Sequence, residues 1–265
     1  MKNLKKYKLN LIKSPYDERD FVFSNIYKSI EIPVKTNNRE TMFQTRDQGN
    51  QGSCAAMAAS AMKEWQEIRD VELKEYLSPQ FIYNNRENIG EDGMTNRDLM
   101  KILQSKGVCL ESMYPYGTTK KISEEAIAQA ELFKINNYAR IYTLNELKQA
   151  LYIKGPCIIA VPVYNYSDRM WHQNTGDEFL GGHDMCVVDY DDELNCLWIR
   201  NSWGVEFGES GYVKMSYQDF QDAWEWWSTV DLDSTYPPVD PIDPIPDPEP
   251  EKVGCWGRFW AWLNK

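Results

Sequence analysis

An α+β fold is predicted for this chain, with a helical first half and a strand-rich second half, and three observations predict it. Residues 46–137 carry helical periodicities and capping signals. Residues 138–232 carry short β-branched and aromatic runs separated by Gly, Asp and Asn. The chain has 265 residues, 42% of them apolar and 13% aromatic, which is enough for one large or two-lobed unit with a sizeable core.

The elements follow in order. Residues 1–45 are mixed and polar, and "PYDERDFVF" reads as part of an extended arm. In "SCAAMAASAMKEWQEI", Cys54, Ala58, Ala61, Trp65 and Ile68 recur at 4-3-4-3 spacing, the stripe of a buried helix, with Ser53 as its N-cap. "LSPQFIYNNRE" starts a helix with Ser78 as cap and Pro79 at the first helical position. "TNRDLMKILQSKG" starts at Thr95 or Asn96 and ends at Gly107, where a left-handed cap is expected. Strands are expected in "CIIAVPVY", "DMCVVDY", "CLWIRNSW" and "GYVKMSY". Residues 233–251 form a Pro/Asp-rich linker that cannot pack a core. In residues 252–265, Trp256, Phe259, Trp260 and Leu263 repeat at helical spacing: either an amphipathic tail that docks on a partner or surface, or a disordered tail with no specific role.

Composition narrows the partners. Twenty-nine basic against 40 acidic residues give a net charge of −11, which opposes binding to a phosphate backbone, so nucleic acid is not expected. No segment approaches the roughly 18 apolar residues of a membrane span, and the basic N-terminus has no apolar run of signal-peptide type behind it. A cytoplasmic location, or release from a bacterial or viral source, is the expectation. The six cysteines form no CxxC and the histidines number two, so no metal site is expected. Free thiols are expected in place of disulfides.

The chemistry centres on Cys54. At the start of its helix it meets unpaired N–H groups and the positive end of the dipole, which favour thiolate. The same spacing also suits a small core residue. "GGHDMCVVDYDDELNCLWIRNSWG" reads as a hairpin in which His183 and Asn201 each lie nine residues from Asp192. A symmetric fold there sets them opposite each other on one face, the way an amide orients an imidazole base. An ordinary cross-strand polar pair is the alternative. Trp203 is placed to cover the two. Gln48, six residues before Cys54, is a candidate oxyanion donor with the Cys54 N–H; otherwise it is a loop glutamine in solvent.

These residues resemble the papain-like cysteine peptidases. "QGNQGSC", "GGH" and "NSWG" occur in that family's order of Gln, Cys, His and Asn, and "LSPQFIY", "DGMTNRDLMKILQSKGVCLESMYPY" and "WGVEFGESGYVKM" extend the likeness from about Arg46 to Met215. The resemblance implies a helical lobe facing an antiparallel, barrel-like β lobe, with the active site in the cleft between them. It also implies Cys54 as nucleophile, His183 as acid–base, Asn201 as its orienter and Gln48 as oxyanion donor, acting on polypeptide without a cofactor. By the same likeness, Gly93 and Met94 pair with extended substrate, and Gly182, Asp184 and Trp203 line the cleft.

The sequence departs from the family pattern at several points. Gln51 stands where a disulfide cysteine is usual, so that bridge cannot form. Ala55 replaces an aromatic and opens one wall of the cleft. The segment preceding the motif is short for an inhibitory propeptide, so no zymogen step is expected. Asp184 replaces a small apolar residue; it either selects a basic substrate side chain or pairs across the hairpin with Arg200. His172 is read as a surface histidine, and Cys109, Cys157, Cys186 and Cys196 as core residues. Cys255, in the tail, is the thiol expected to be most exposed after Cys54. Two other activities fit the scaffold: acyl transfer or peptidoglycan amide cleavage with the same Cys–His pair, and a silent peptide-binding module. A ligated product would mark the first, and an unreactive Cys54 thiol the second.

Overall fold

The computed structural model describes residues 7–230. The linker, the aromatic tail and Cys255 lie outside the described residues. Five other cysteines are free and buried, and no described helix is long and apolar enough to cross a membrane.

The arm contributes a short helix, α1 (Phe23–Ile26), and a 3₁₀ turn at Asn38–Thr41; the rest of it is irregular or extended. Helix α2 (Cys54–Val71) follows, then α3 (Pro79–Asn84), α4 (Asn96–Ser105) and α5 (Glu124–Ala130). Ser78 and Thr95 cap α3 and α4 as the sequence predicts, accepting from Phe81 N–H and Asp98 N–H. Gly107 takes φ +75° just past α4. Ser53 does not cap α2 through its side chain; its hydroxyl bonds Tyr116 Oη at 2.5 Å instead. Nor is α2 buried along one stripe, because every residue from Cys54 to Glu67 is buried. The charged members survive there by pairing: Lys63 holds Glu67 at 2.5 Å, and Glu64 holds Arg46 at 2.9 Å and the Leu77 N–H at 3.0 Å.

The second half is a six-stranded antiparallel sheet of β1 (Asn137–Ile141), β2 (Cys157–Val163), β3 (Gly181–Asp191), β4 (Cys196–Arg200), β5 (Tyr212–Ser216) and β6 (Glu225–Val230), in the order β1-β6-β2-β3-β4-β5. It is open: β1 and β5 are edges, so the expected barrel is not closed. Helix α6 (Leu144–Ile153), carrying a Thr143–Glu146 capping box, packs on β2 and β3. Alternate residues serve two cores. Ile158, Ala160, Cys186 and Val188 face the core shared with α2, while Ile159, Val161, Met185 and Val187 face the core shared with α6. Burial on both faces explains why these strands read as continuous apolar runs.

The β3–β4 register differs from the symmetric hairpin. The loop is Asp192–Asn195, Asp191 pairs with Cys196, and an irregularity between Val187 and Asp189 shifts the ladder so that Cys186 pairs with Arg200. Continuing that register sets His183 opposite Trp203. Asn201 is then a diagonal neighbour on the same face.

Candidate active site

Helix α2 begins at Cys54 where it meets β3. The backbone N–H groups of Asp184, Ala55 and Cys54 lie close enough to the Cys54 sulfur to favour its thiolate form, though burial outweighs them. His183, immediately before Asp184, presents Nε2 to Asn201 Oδ1 at 2.8 Å. Asn201 Oδ1 also accepts from Ser202 N–H at 2.7 Å, which fixes the amide and makes Nε2 the protonated nitrogen. Nδ1 therefore carries the lone pair, and it is buried with no partner among the described residues. Trp203 stacks on the imidazole, centroids 4.8 Å apart at 28°.

Gln48 is not a loop residue in solvent; it is 1% exposed. Its Oε1 accepts from Ser202 Oγ at 2.6 Å, and its Nε2 donates to Gln51 O at 3.0 Å, which leaves a second N–H on that nitrogen. Tyr116 Oη donates to Gln48 O at 2.9 Å and holds Ser53, so one phenol ties both ends of the loop before Cys54. Neither Ser202 nor Tyr116 is singled out by the sequence. Ser202, inside "NSWG", was legible as a motif member but not as a partner of Gln48.

The arm lies across this site. Leu11 N–H donates to Gly182 O at 3.2 Å, and Ile12 N–H to Met94 O at 3.1 Å. A Cβ on Gly93 would stand 1.7 Å from Asn10 O, and one on Gly181 would stand 2.0 Å from Leu9 O. Gly93 and Gly182 thus meet an extended peptide, and that peptide is the chain's own arm. Tyr7 stacks on Trp203, and Lys8 holds Asp92 at 2.6 Å. Further along, Arg97 and Arg140 grip Asp20, and Glu225 Oε1 accepts the Ser14 N–H at 2.8 Å. The arm's brevity suggested no inhibitory segment. The arm nonetheless lies against the candidate centre, touching Gly93, Met94, Gly181, Gly182 and Trp203.

Burial sets the electrostatics. It pushes the Cys54 thiol up to about 12, with the nearby Asp184 charge adding to the rise, and it pulls His183 down to about 4 against the opposing Asn201 bond. Beneath the arm the pair is neutral thiol and neutral imidazole. Asp184 is fully buried; Asn96 Nδ2 donates to its Oδ1 at 3.0 Å, and burial raises its carboxyl well above the ordinary range. It does not pair with Arg200, which donates to the Phe43 and Gln44 carbonyls at 2.6 and 2.9 Å. His172 is exposed. No group of three or more His, Cys, Asp or Glu suited to a metal ion occurs among the described residues.

A buried cysteine at a helix start, an amide-held imidazole and a glutamine at the junction of a helical lobe and an antiparallel sheet define a cysteine-peptidase architecture. The papain family cysteine protease model matches residues 32–226, and the chain belongs to that family; it is a cysteine-type peptidase. It is 28% identical to an uncharacterized peptidase C1-like protein of Acanthamoeba polyphaga mimivirus, over 88% of this chain and 89% of that protein. It is also 28% identical to cysteine proteinase 1 of Entamoeba histolytica, over 71% of this chain and 65% of that protein. Among solved structures, xylellain, a cysteine protease from Xylella fastidiosa, superposes with a TM-score of 0.74 at 31% identity, covering 85% of this chain and 97% of that one.

Proposed function

We propose that the protein hydrolyses peptide bonds through an acyl-enzyme on Cys54. The observation that carries this reading is the orphaned Nδ1 of His183: its other nitrogen is pinned by Asn201, and the strand that carries it packs against the helix that begins at Cys54. Once the arm lifts and water enters, the burial that keeps both groups neutral is relieved. Nδ1 then takes the thiol proton, and the helix dipole favours the thiolate. The sulfur attacks the substrate carbonyl carbon, and the oxyanion is held by the Cys54 N–H and the second N–H of Gln48 Nε2. The imidazolium returns its proton to the leaving amine as the C–N bond breaks. Water, deprotonated by the imidazole, then releases the new carboxylate and restores the thiol.

Cleavage of a quenched fluorescent peptide by the full chain, compared with Cys54→Ala, tests the reading. Activity should vanish with a native circular dichroism spectrum, and persistent cleavage by the variant would overturn the assignment.

A further inference from the structure

A cleft opens at the end of α2 remote from Cys54. The helix supplies one wall, from Lys63 to Asp70; residues 134–136 before β1, Lys154 just past α6 and Thr229 of β6 supply the rest. Its volume is about 180 Å³, whereas one water needs only about 10–15 Å³, so a molecule of several heavy atoms fits. At 1.5 Å of rise per residue, Arg69 stands roughly 22 Å along the helix from Cys54. The cleft is therefore separate from the candidate active site.

The sign of the charge inverts there. Lys63, Arg69, Lys134 and Lys154 line the cleft against two carboxylates, Glu67 and Asp70. Four against two is an excess of two positive charges, in a chain whose net charge is −11. Lys63 and Lys154 are only 4% and 7% exposed, so folding draws two ammonium-bearing side chains into the walls, where lysine is rarely found. Glu67 offsets Lys63 at 2.5 Å. The other two pairs, Arg69–Asp70 at 3.1 Å and Lys134–Glu131 at 3.0 Å, join exposed or half-buried side chains. Such pairs contribute little, and their cations can be recommitted to a ligand. Thr229 Oγ1 accepts from Gln66 Nε2 at 2.8 Å, which leaves its own hydrogen to donate. A concave surface lined mainly by one sign of charge concentrates the opposite ion.

We infer that this cleft binds a small, multiply charged oxyanion, a phosphate compound being the simplest kind. Arg69, Lys134 and Lys154 supply the charge-assisted donors, and the Thr229 hydroxyl supplies a neutral one. Because the donors come from α2, from the segment leading into β1, from the end of α6 and from β6, the bound anion braces the helical half of the fold against the sheet. The site is independent of the peptidase reading.

Isothermal titration of the full chain with inorganic pyrophosphate, at an ionic strength held constant with sodium chloride, tests the site. One site per chain should saturate. Lys134→Ala should weaken binding at least about tenfold, as for the loss of a charge-assisted bond. Lys134 is half-buried and its partner Glu131 is exposed, so this change leaves the core intact. Asp70→Asn removes a competing carboxylate and releases Arg69, and should tighten binding about two- to fivefold. A misfolded variant cannot produce that gain. The absence of saturable binding at millimolar pyrophosphate, or a dissociation constant unmoved by both substitutions, overturns the site.

Discussion

Tyr7 lies flat on Trp203, ring centroids 4.9 Å apart at 12°, and its hydroxyl donates to the Trp203 carbonyl at 3.0 Å. Trp203 in turn stacks on His183. The start of the described arm is therefore fastened to the indole that shields the imidazole, 196 residues away in sequence.

Tyr7→Ala removes this fastening. The ring pair contributes about 0.5–1.5 kcal/mol beyond burial, and the hydrogen bond roughly 1 kcal/mol. Alkylation of Cys54 by iodoacetamide, followed by mass spectrometry, should quicken on the order of tenfold. An unchanged rate would show that this end of the arm does not guard the thiol.

Gly93→Ala acts on the same closure from the opposite wall. Its Cβ would collide with Asn10 O, and φ there is +85°, a region that alanine rarely adopts. Strain of about 1–3 kcal/mol is expected. The melting temperature should fall and Cys54 should label faster. A variant as stable and as slowly labelled as the parent would contradict the close approach.

The pH response follows from two buried groups of opposite sign. His183 is lowered to about 4 by burial, against an ordinary value near 6.5, so the opened or unfolded state binds its proton more readily. The stability it lends the closed form is complete above about 6.5 and is lost as pH falls toward 4, up to roughly 3 kcal/mol. Asp184 is raised, so its contribution is lost as pH climbs above 3.8. In Asp184→Asn, the asparagine preserves an acceptor for Asn96 and removes the opposing term. Hydrogen exchange at the Leu11 and Ile12 amides, corrected for intrinsic rates, should then show protection declining from about pH 6.5 to 4. Flat protection across that window would sink the claim. The Asp20 carboxyl, lowered by Arg97 and Arg140 despite burial, acts only below 3.8.

Ser202→Ala tests the orientation of Gln48. The serine hydroxyl gives Gln48 Oε1 its donor at 2.6 Å, and its loss leaves a buried amide free to turn. Cleavage should slow by about ten- to a hundredfold in kcat, with KM little changed, as for a contact felt mainly in the transition state. A loss confined to KM would place Gln48 in substrate binding instead.

The residues that meet at the candidate site, Gln48, Cys54, His183 and Asn201, were legible because local motifs carry each one, and the Ser78, Thr95 and Gly107 signals carried their helix ends. The hairpin register was not legible. It depends on where a loop of Asp and Glu residues turns and on an irregularity after Val187, neither of which leaves an apolar pattern. The shift was an even number of residues, so His183 and Asn201 kept their common face although their pairing moved. Helix α6 announced itself in "TLNEL", a capping box that the surrounding strand texture masked. The arm's position was hidden for a different reason. Its partners lie some 80 to 200 residues away, and backbone contacts to glycines impose no period on the sequence.

Because the arm belongs to the same chain as the cleft it fills, its local concentration is set by a tether and does not fall when the protein is diluted. An incoming peptide must outcompete an internal rival equivalent to roughly millimolar ligand. Scarce or weakly held peptides would be ignored at any abundance of the protein, whereas a cut anywhere between the arm's gripping points and the helix that begins at Cys54 would convert the rival into one that diffuses away.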